Sequence, residues 1–487
     1  MSSETYPLLT VSRNGDRELV WRGALADQGV DPAAKLPALK SLGRVLTALP
    51  PRRERCLLTL EMTADEPAAR LSARPRGLLA PLFRKPLDKV VARLNGMGRP
   101  LTVRDGGFVY NLYQPPVPSA RMVNHLAHQF MHGNRPVRPS TCTLQVTARC
   151  QLDCYHCSAA RFKSRDRQEL TTEEWLSVIA QAQDLGVFNI VFTGGEPLLR
   201  RDLYELIAAV DPQRAQAMMF TNGLLLTAEN VQRLREAGLY AVNVSLDDPR
   251  PEVHNRLRRA PQVYERALEG LARALEAGLL VGISTYAGPH AVREGLVEET
   301  LELGRRLAVH EVTVFDVVPT GKLLPLQEKS LLSEEDKDRL IAMERHYNQQ
   351  PDYPHVITQA LVNGPQGAGC FAAFSQFYMT AYGDVDPCDF TPLTFGNIRD
   401  ASLEETWRRM LAHPAYQHRC NHCRMQDPAF RRQYIDDIPE DALLPWPAFE
   451  ELRSRPHSPR ETVQSATRAA TELVSHEQRE EQVTSAD

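Results

Sequence analysis

No stretch of this chain approaches 18 consecutive apolar residues, and residues 1–10 lack a basic start followed by an apolar run. Neither a membrane span nor an export signal is therefore expected, and a reducing cytoplasm is the default compartment. Cysteine is too sparse for a disulfide scaffold, nine in 487 residues. Aromatic residues are missing from Pro456 onward, where Ser, Thr, Glu, Gln and Arg dominate, so 456–487 is expected to be a disordered tail outside any mechanism. What is present argues for folded structure. Hydrophobic residues at 43% and charged residues at 24% match globular averages, and the length implies more than one core at about 100 to 200 residues per domain.

The net charge of -4 hides an asymmetry, because residues 1–140 carry 21 Lys or Arg against 11 Asp or Glu. From Arg70 to Arg104 nine cations face one acid, Asp88, interleaved with Leu79, Leu82, Phe83, Leu87, Val90, Val91 and Leu94 at helical spacing. An Arg-rich surface helix, started or broken by Pro81 and Pro86, accounts for this pattern. A basic stretch of this kind also suits an acidic peptide, a phosphorylated substrate or an anionic membrane surface, which leaves peripheral contact with the inner face of the membrane open. No nucleic-acid motif accompanies the charge, so no nucleic acid is expected.

Residues 1–135 are read as a separate basic α+β module. Beyond the Pro-rich linker, short apolar runs alternate with helical patterns. Strands are expected at 143–147, 187–192, 217–220, 240–246, 280–285 and 311–318. Helices are expected at 171–186, 202–210, 227–237, 263–277 and 291–307, the first opened by Thr171 with Glu174 three residues on. Such alternation pairs strands in parallel through right-handed crossovers and predicts an α/β partial (β/α)6 barrel over 140–322, with reactive groups at the C-terminal ends of its strands. Residues 323–366 read as a helical connection and 367–445 as a small cysteine-bearing domain.

The first strand runs into Cys150-Gln-Leu-Asp-Cys154-Tyr155-His156-Cys157, a CxxxCxxC pattern. Three thiolates on one loop leave one iron of a 4Fe-4S cluster without a protein ligand, and that vacancy can hold a substrate or cofactor. Zinc would need a fourth ligand that His156, lying between two of the cysteines, cannot easily supply. Structural thiols are the remaining reading.

These residues resemble the radical S-adenosylmethionine (SAM) superfamily, with Tyr155 as the aromatic residue of the signature. The resemblance implies that SAM chelates the open iron and is cleaved reductively to a 5′-deoxyadenosyl radical that abstracts hydrogen from a substrate. It also implies roles for strand-end residues. Thr193-Gly194-Gly195-Glu196-Pro197 is similar to the GGEP motif that binds the SAM amino group. Asn222, in Thr221-Asn222-Gly223, matches a turn facing the site. Ser245 and Asp247 are placed to bond ribose hydroxyls, and Arg258 to pair with the SAM carboxylate, although Asn255 and Arg259 depart from the family's Asp and Gly. Val318 to Lys322 resembles the segment whose backbone meets adenine.

A second set comprises Cys370, Cys388, Cys420 and Cys423, with Gly383 completing a C-x12-G-x4-C pattern. Four thiolates suit tetrahedral zinc or a fully ligated 4Fe-4S cluster. Behind the first motif they resemble a SPASM or twitch domain, which implies an auxiliary cluster for electron transfer. Cys56 and Cys142 are expected to be buried structural thiols. The expected function is thus a radical SAM enzyme, oxidoreductase-type or forming C–C or C–S bonds, acting on a peptide, a small molecule or a lipid, with flavodoxin or ferredoxin as reductant. The competing expectation is a non-catalytic iron-sulfur or zinc scaffold that binds an acidic partner through its basic N-terminal region.

Overall fold

A computed structural model describes residues 7–13, 16–22, 58–65, 70–76, 80–96, 99–104, 107–119, 121–122, 138–164, 166–326 and 330–450. Cys56 and the expected tail 456–487 lie outside these residues. The chain divides into two compact units, one of 1–110 with 114–128 and the other of 111–113 with 129–487.

In the first unit β1 (Pro7–Arg13) pairs antiparallel with β2 (Asp16–Arg22) and parallel with β3 (Leu58–Asp65). Strand β4 (Arg70–Arg76) is antiparallel to β3, giving the order β2-β1-β3-β4. Helix α1 (Ala80–Asn95) runs unbroken through Pro86. Pro81 sits in its first turn, where the missing N–H has no intrahelical partner to lose. At the far end the Asn95 side chain accepts from Leu71 N–H at 2.8 Å and donates to Leu71 O at 2.9 Å, tying the helix to β4. A short hairpin, β5 (Thr102–Arg104) and β6 (Gly107–Val109), completes the described part of this unit.

The second unit is built on β7 (Thr141–Gln145), β8 (Asn189–Thr193), β9 (Gln216–Thr221), β10 (Leu239–Ser245), β11 (Leu280–Ala287) and β12 (Glu311–Asp316), all mutually parallel. Helices α2 (Thr172–Asp184), α3 (Leu203–Ala208), α4 (Ala228–Glu236), α5 (Pro251–Arg258), α6 (Val263–Glu276), α7 (Pro289–Arg293) and α8 (Leu296–Leu307) make the connections. Thr171 and Glu174 form the capping box read from the sequence. The helix expected over 291–307 is instead two, because Gly295 takes a φ of +75° that interrupts it.

The sheet is wider than six strands. Within the expected helical connection, α9 (Glu334–Tyr347) is followed by β13 (His355–Thr358), which adds in parallel to β12. Its four residues are too few to carry a readable alternation. At the other edge β14 (Gln376–Met379) pairs in parallel with β7, and β15 (Val385–Asp386) turns back antiparallel on β14. The order is β13-β12-β11-β10-β9-β8-β7-β14-β15, so the second cysteine region shares the sheet that carries the first.

Alternation along the strands divides two faces. Cys142, Leu144, Ile190, Phe192, Val242, Val244, Val312 and Val314 enter the core under the helices. The opposite face carries Gln145, Asn189, Gln216, Asn243 and Glu311, all buried. At the N-terminal ends of the strands this polar interior is closed by Asn111 to Tyr113. Leu112 N–H donates to the Glu311 carboxylate at 2.9 Å, and Leu112 O accepts from Gln216 Nε2 at 2.9 Å. The Tyr113 hydroxyl lies 3.3 Å from Thr313 Oγ1. The first cysteine set begins past the C-terminal end of β7, whereas Cys370 precedes β14 and Cys388 follows β15.

Candidate active site

The loop bearing Cys150, Cys154 and Cys157 is held by backbone before any cofactor is considered. Past the strand ends Val146 N–H bonds Thr193 O at 2.9 Å, Gly195 N–H bonds Thr147 O at 2.7 Å and Glu196 N–H bonds Arg149 O at 2.8 Å. A Cβ on Gly194 would lie 2.6 Å from Thr147 O, and one on Gly195 would strike Arg149 O. Both glycines are thus required by the approach of two backbones. Glu169 closes the base of the loop, accepting from Thr147 Oγ1 at 3.0 Å and Ala148 N–H at 2.8 Å.

Glu196 is wholly buried and caps a short 3-10 turn at Pro197–Leu199. Its carboxylate accepts from Leu198 N–H at 3.2 Å, Thr221 Oγ1 at 2.8 Å and Asn222 N–H at 2.9 Å. Burial pushes this carboxyl up to about 7, against the pull of those donors. Glu196 therefore locks the ends of β8 and β9 together. The Asn222 side chain accepts from Leu224 N–H at 3.0 Å, while its buried Nδ2 has no partner. Ser245 accepts from Ser284 Oγ at 3.4 Å.

Arg258 and Asp247, expected to serve different parts of SAM, are paired with each other. Arg258 Nε and Nη2 each donate to the Asp247 carboxylate at 2.6 Å, with side-chain exposures of 9% and 3%. Arg258 Nη1 points at Cys154 Sγ, 3.8 Å away. Despite burial, the guanidinium holds the Asp247 carboxyl well below the usual range. His156 Nε2 lies 3.6 Å from the same carboxylate. Its ring stacks on Tyr286 at 4.8 Å and 17°, and its Nδ1 is buried without a partner. Burial lowers His156 to about 4, so the ring is neutral at pH 7. Tyr155 is buried and tilted against Tyr286, its N–H bonded to Leu257 O at 3.2 Å. Within the motif it is His156, not Tyr155, that keeps an unspent polar atom.

Lys322 is the second residue that motif reading passed over. Its buried ammonium donates to Cys154 O at 2.9 Å and Asp153 O at 3.3 Å, and pairs with the Asp153 carboxylate. It stood inside the quoted 318–322 stretch, but only the fold shows what it grips.

Thiols in both sets are poised for a cationic ligand. Leu152 N–H approaches Cys150 Sγ at 3.4 Å, and burial pushes the Cys154 thiol up to about 11. In the second set burial and the neighbouring Cys370 push Cys388 up to about 12, and burial with Cys370 and Cys388 raises Cys423 well above the usual thiol range. Cys370 N–H bonds Cys420 O at 2.9 Å, a contact that Gly369 permits at a φ of +77° because a Cβ there would strike the same carbonyl. Thiols gathered this way resist ionisation in isolation and ionise readily on iron. Among the described residues no three His, Cys, Asp or Glu close on a single-ion site. A four-iron cluster takes one thiolate per iron and needs no such convergence.

Tyr378 belongs to a buried cluster against which Cys157 packs, and Asp389 follows Cys388 in the chain. Burial and the nearness of Asp389, Asp386 and Cys157 raise the Tyr378 phenol. Burial and the neighbouring Asp384 raise the Asp386 carboxyl well above the usual range. Burial pushes Asp389 up to about 6.

A radical SAM superfamily model matches residues 144–320, and an iron-sulfur cluster-binding SPASM model matches 370–424. A PqqA peptide cyclase of Rhizobium meliloti is 30% identical over 58% of this chain and 77% of its own. The chain belongs to the radical SAM superfamily. Two AdoMet-dependent heme synthases are also similar. That of Oleidesulfovibrio alaskensis is 29% identical over 57% of this chain and 78% of its own, and that of Methanosarcina barkeri is 28% identical over 62% and 95%. Among solved structures, Streptococcus suis SuiB bound to its precursor peptide SuiA aligns with 69% of this chain and 78% of that one, at 17% identity and a TM-score of 0.49.

The protein is accordingly a radical SAM enzyme with a C-terminal SPASM region, and both cysteine sets are iron-sulfur sites. Of the two metals that the second set's spacing allowed, iron is the one its family takes. The residues present fit the groups: three thiols with one iron position left for SAM, and four thiols with none. No described helix is long and apolar enough to cross a membrane.

Proposed function

We propose that this radical SAM enzyme oxidises a side chain of a peptide substrate held at the C-terminal end of the sheet. Bound at the two cysteine sets, the clusters and SAM supply a hydrogen-abstracting radical and a second one-electron carrier, together sufficient for net two-electron oxidation. The protein's own part is binding, orientation and exclusion of water. Glu196, with Gly194, Gly195 and Pro197, shapes the amino-group side of the SAM site. Arg258, oriented by Asp247, serves the carboxylate side, with Asn222 and Ser245 near the nucleoside and His156 in the aromatic role first given to Tyr155.

The observation that carries the peptide reading is a pair of buried amide donors without partners at the strand ends, Gln145 Nε2 and Asn222 Nδ2. Two such donors suit the carbonyl oxygens of a peptide. Of the buried cations beside the first cysteine set, Arg258 is assigned to the SAM carboxylate and Lys322 is committed to Asp153 and Cys154 O, so neither is left over for a polycarboxylate such as a porphyrin. The peptide cyclase relative agrees with this reading. Exposed Arg74, Arg84, Lys85 and Lys89 support a basic N-terminal module that takes up an acidic peptide segment. The reductant is proposed to be a flavodoxin or ferredoxin.

The test is anaerobic reconstitution with iron and sulfide, then dithionite, SAM and a panel of short synthetic peptides that carry acidic segments. Formation of 5′-deoxyadenosine with a peptide that has lost two hydrogens is the expected result. Unchanged peptides, together with 5′-deoxyadenosine formed and an iron porphyrin converted when it is offered in their place, would overturn the peptide reading in favour of the activity named for the heme synthase relatives.

A further inference from the structure

The six residues after β12 touch both cysteine regions. Val317 O accepts from Gln426 Nε2 at 3.0 Å, and Gln426 lies three positions past Cys423. Thr320 Oγ1 donates to Phe390 O at 2.8 Å, two positions past Cys388. On the other side Lys322 N–H bonds Cys157 O at 3.2 Å, and its ammonium bonds Cys154 O at 2.9 Å. Gly321 holds a φ of +52° against the Cys157 and Ser158 carbonyls, where a Cβ would collide. Val317, Val318, Thr320 and Lys322 are buried, and the segment is rooted in a strand paired on both sides. A loop that merely crossed the surface would show neither this burial nor directed bonds into two separate sites.

We propose that Val317 to Lys322 is a rigid strap that sets the separation of the two cysteine sets, with Thr320 and Gln426 as its positioning residues on the SPASM side. The functional consequence rests on the proposed two-electron oxidation. One-electron transfer between buried centres falls steeply with distance, so loosening the strap lowers coupling without removing either centre. The strap also explains the split of its contacts. Lys322 grips main-chain carbonyls of the SAM-side loop, and Thr320 and Gln426 grip the loops that follow Cys388 and Cys423.

The test uses the full chain, reconstituted, as Thr320→Val, Thr320→Ser, Gln426→Leu and the double variant T320V/Q426L. Iron and sulfide are counted. Electron paramagnetic resonance of the reduced protein reads the spin–spin interaction between clusters, and product is measured per 5′-deoxyadenosine. The double variant, which removes both bonds, is expected to keep full iron, show an altered interaction and lower the product ratio. Thr320→Ser, which keeps the hydroxyl, is expected to match wild type. If the double variant fails to hold iron, Gln426→Leu carries the same two readings alone. Wild-type interaction and ratio in a fully loaded double variant, with product lost in Cys388→Ala, would overturn the strap and leave the oxidation reading standing. An altered interaction with an unchanged ratio would keep the strap and remove the second cluster's part in the oxidation.

Discussion

Replacing Arg258 with Met exposes how much of the SAM site is held by one buried ion pair. The pair is bidentate, two bonds of 2.6 Å, and neither side chain is more than 9% exposed. Removing one partner of such a pair strands the other charge in a medium that solvates it poorly, at a cost of about 3–5 kcal/mol. Neutralising both, as Asp247→Asn with Arg258→Met, removes the stranded charge and is expected to return to within about 1–2 kcal/mol of wild type, because a buried pair is nearly balanced by its own desolvation. The cycle should therefore show a coupling of at least about 2 kcal/mol, well above the additivity error for independent sites. Denaturant unfolding of the reconstituted protein, followed by intrinsic tryptophan fluorescence, measures each corner. Isothermal titration with SAM supplies the functional arm. Both variants that lack Arg258 are expected to bind SAM weakly, although only the single variant is unstable. The reasoning fails if Arg258→Met costs less than about 1 kcal/mol, or if the double variant is as unstable as the single one.

The two cysteine sets should respond independently to backbone crowding. Gly195→Ala, which drives a methyl into Arg149 O, is expected to lower iron at the first set and abolish 5′-deoxyadenosine while the SPASM site stays loaded. Gly369→Ala, at a φ of +77° against Cys420 O, is expected to do the reverse, and equal iron loss at both sites in either variant would contradict this independence. A pH effect is expected at the closed end of the sheet. Burial pushes Glu311 up to about 8 from an ordinary 4.5, so the folded state holds its proton more tightly than the unfolded chain. The stability it contributes is complete below about pH 4.5 and is lost as pH rises through about 8, by at most about 5 kcal/mol. Glu311→Gln should flatten that part of the stability curve, and an unchanged slope would show that the carboxylate is not the group titrating.

Periodicity was enough for the six strands at the centre of the sheet, since each is a run of apolar residues set off from a helical pattern. It could not reveal β13 or β15, at four and two residues, because pairing partners rather than local pattern make such short segments strands. The CxxxCxxC loop, the glycine pair, Glu196 and the four later cysteines were legible because their chemistry needs fixed spacing along the chain. The grip of Lys322 on Cys154, the stacking of His156 on Tyr286 and the commitment of Arg258 to Asp247 were not. Each depends on which side chains meet across 11 to 168 positions of sequence, as the bonds from Arg258 to Asp247 and from Lys322 to Cys154 demonstrate.

The sequence by itself therefore determined the chemistry of this protein, three thiols that leave an iron open and four that leave none, because ligand number is counted along the chain. Only the tertiary structure decided how those sites are built. It put β14 beside β7 so that both sets share one sheet, spent Arg258 on Asp247 and ran 317–322 between the two cysteine regions. The physical reason is that hydrogen bonds and buried charges are settled by proximity in space, which residue order constrains only through the fold.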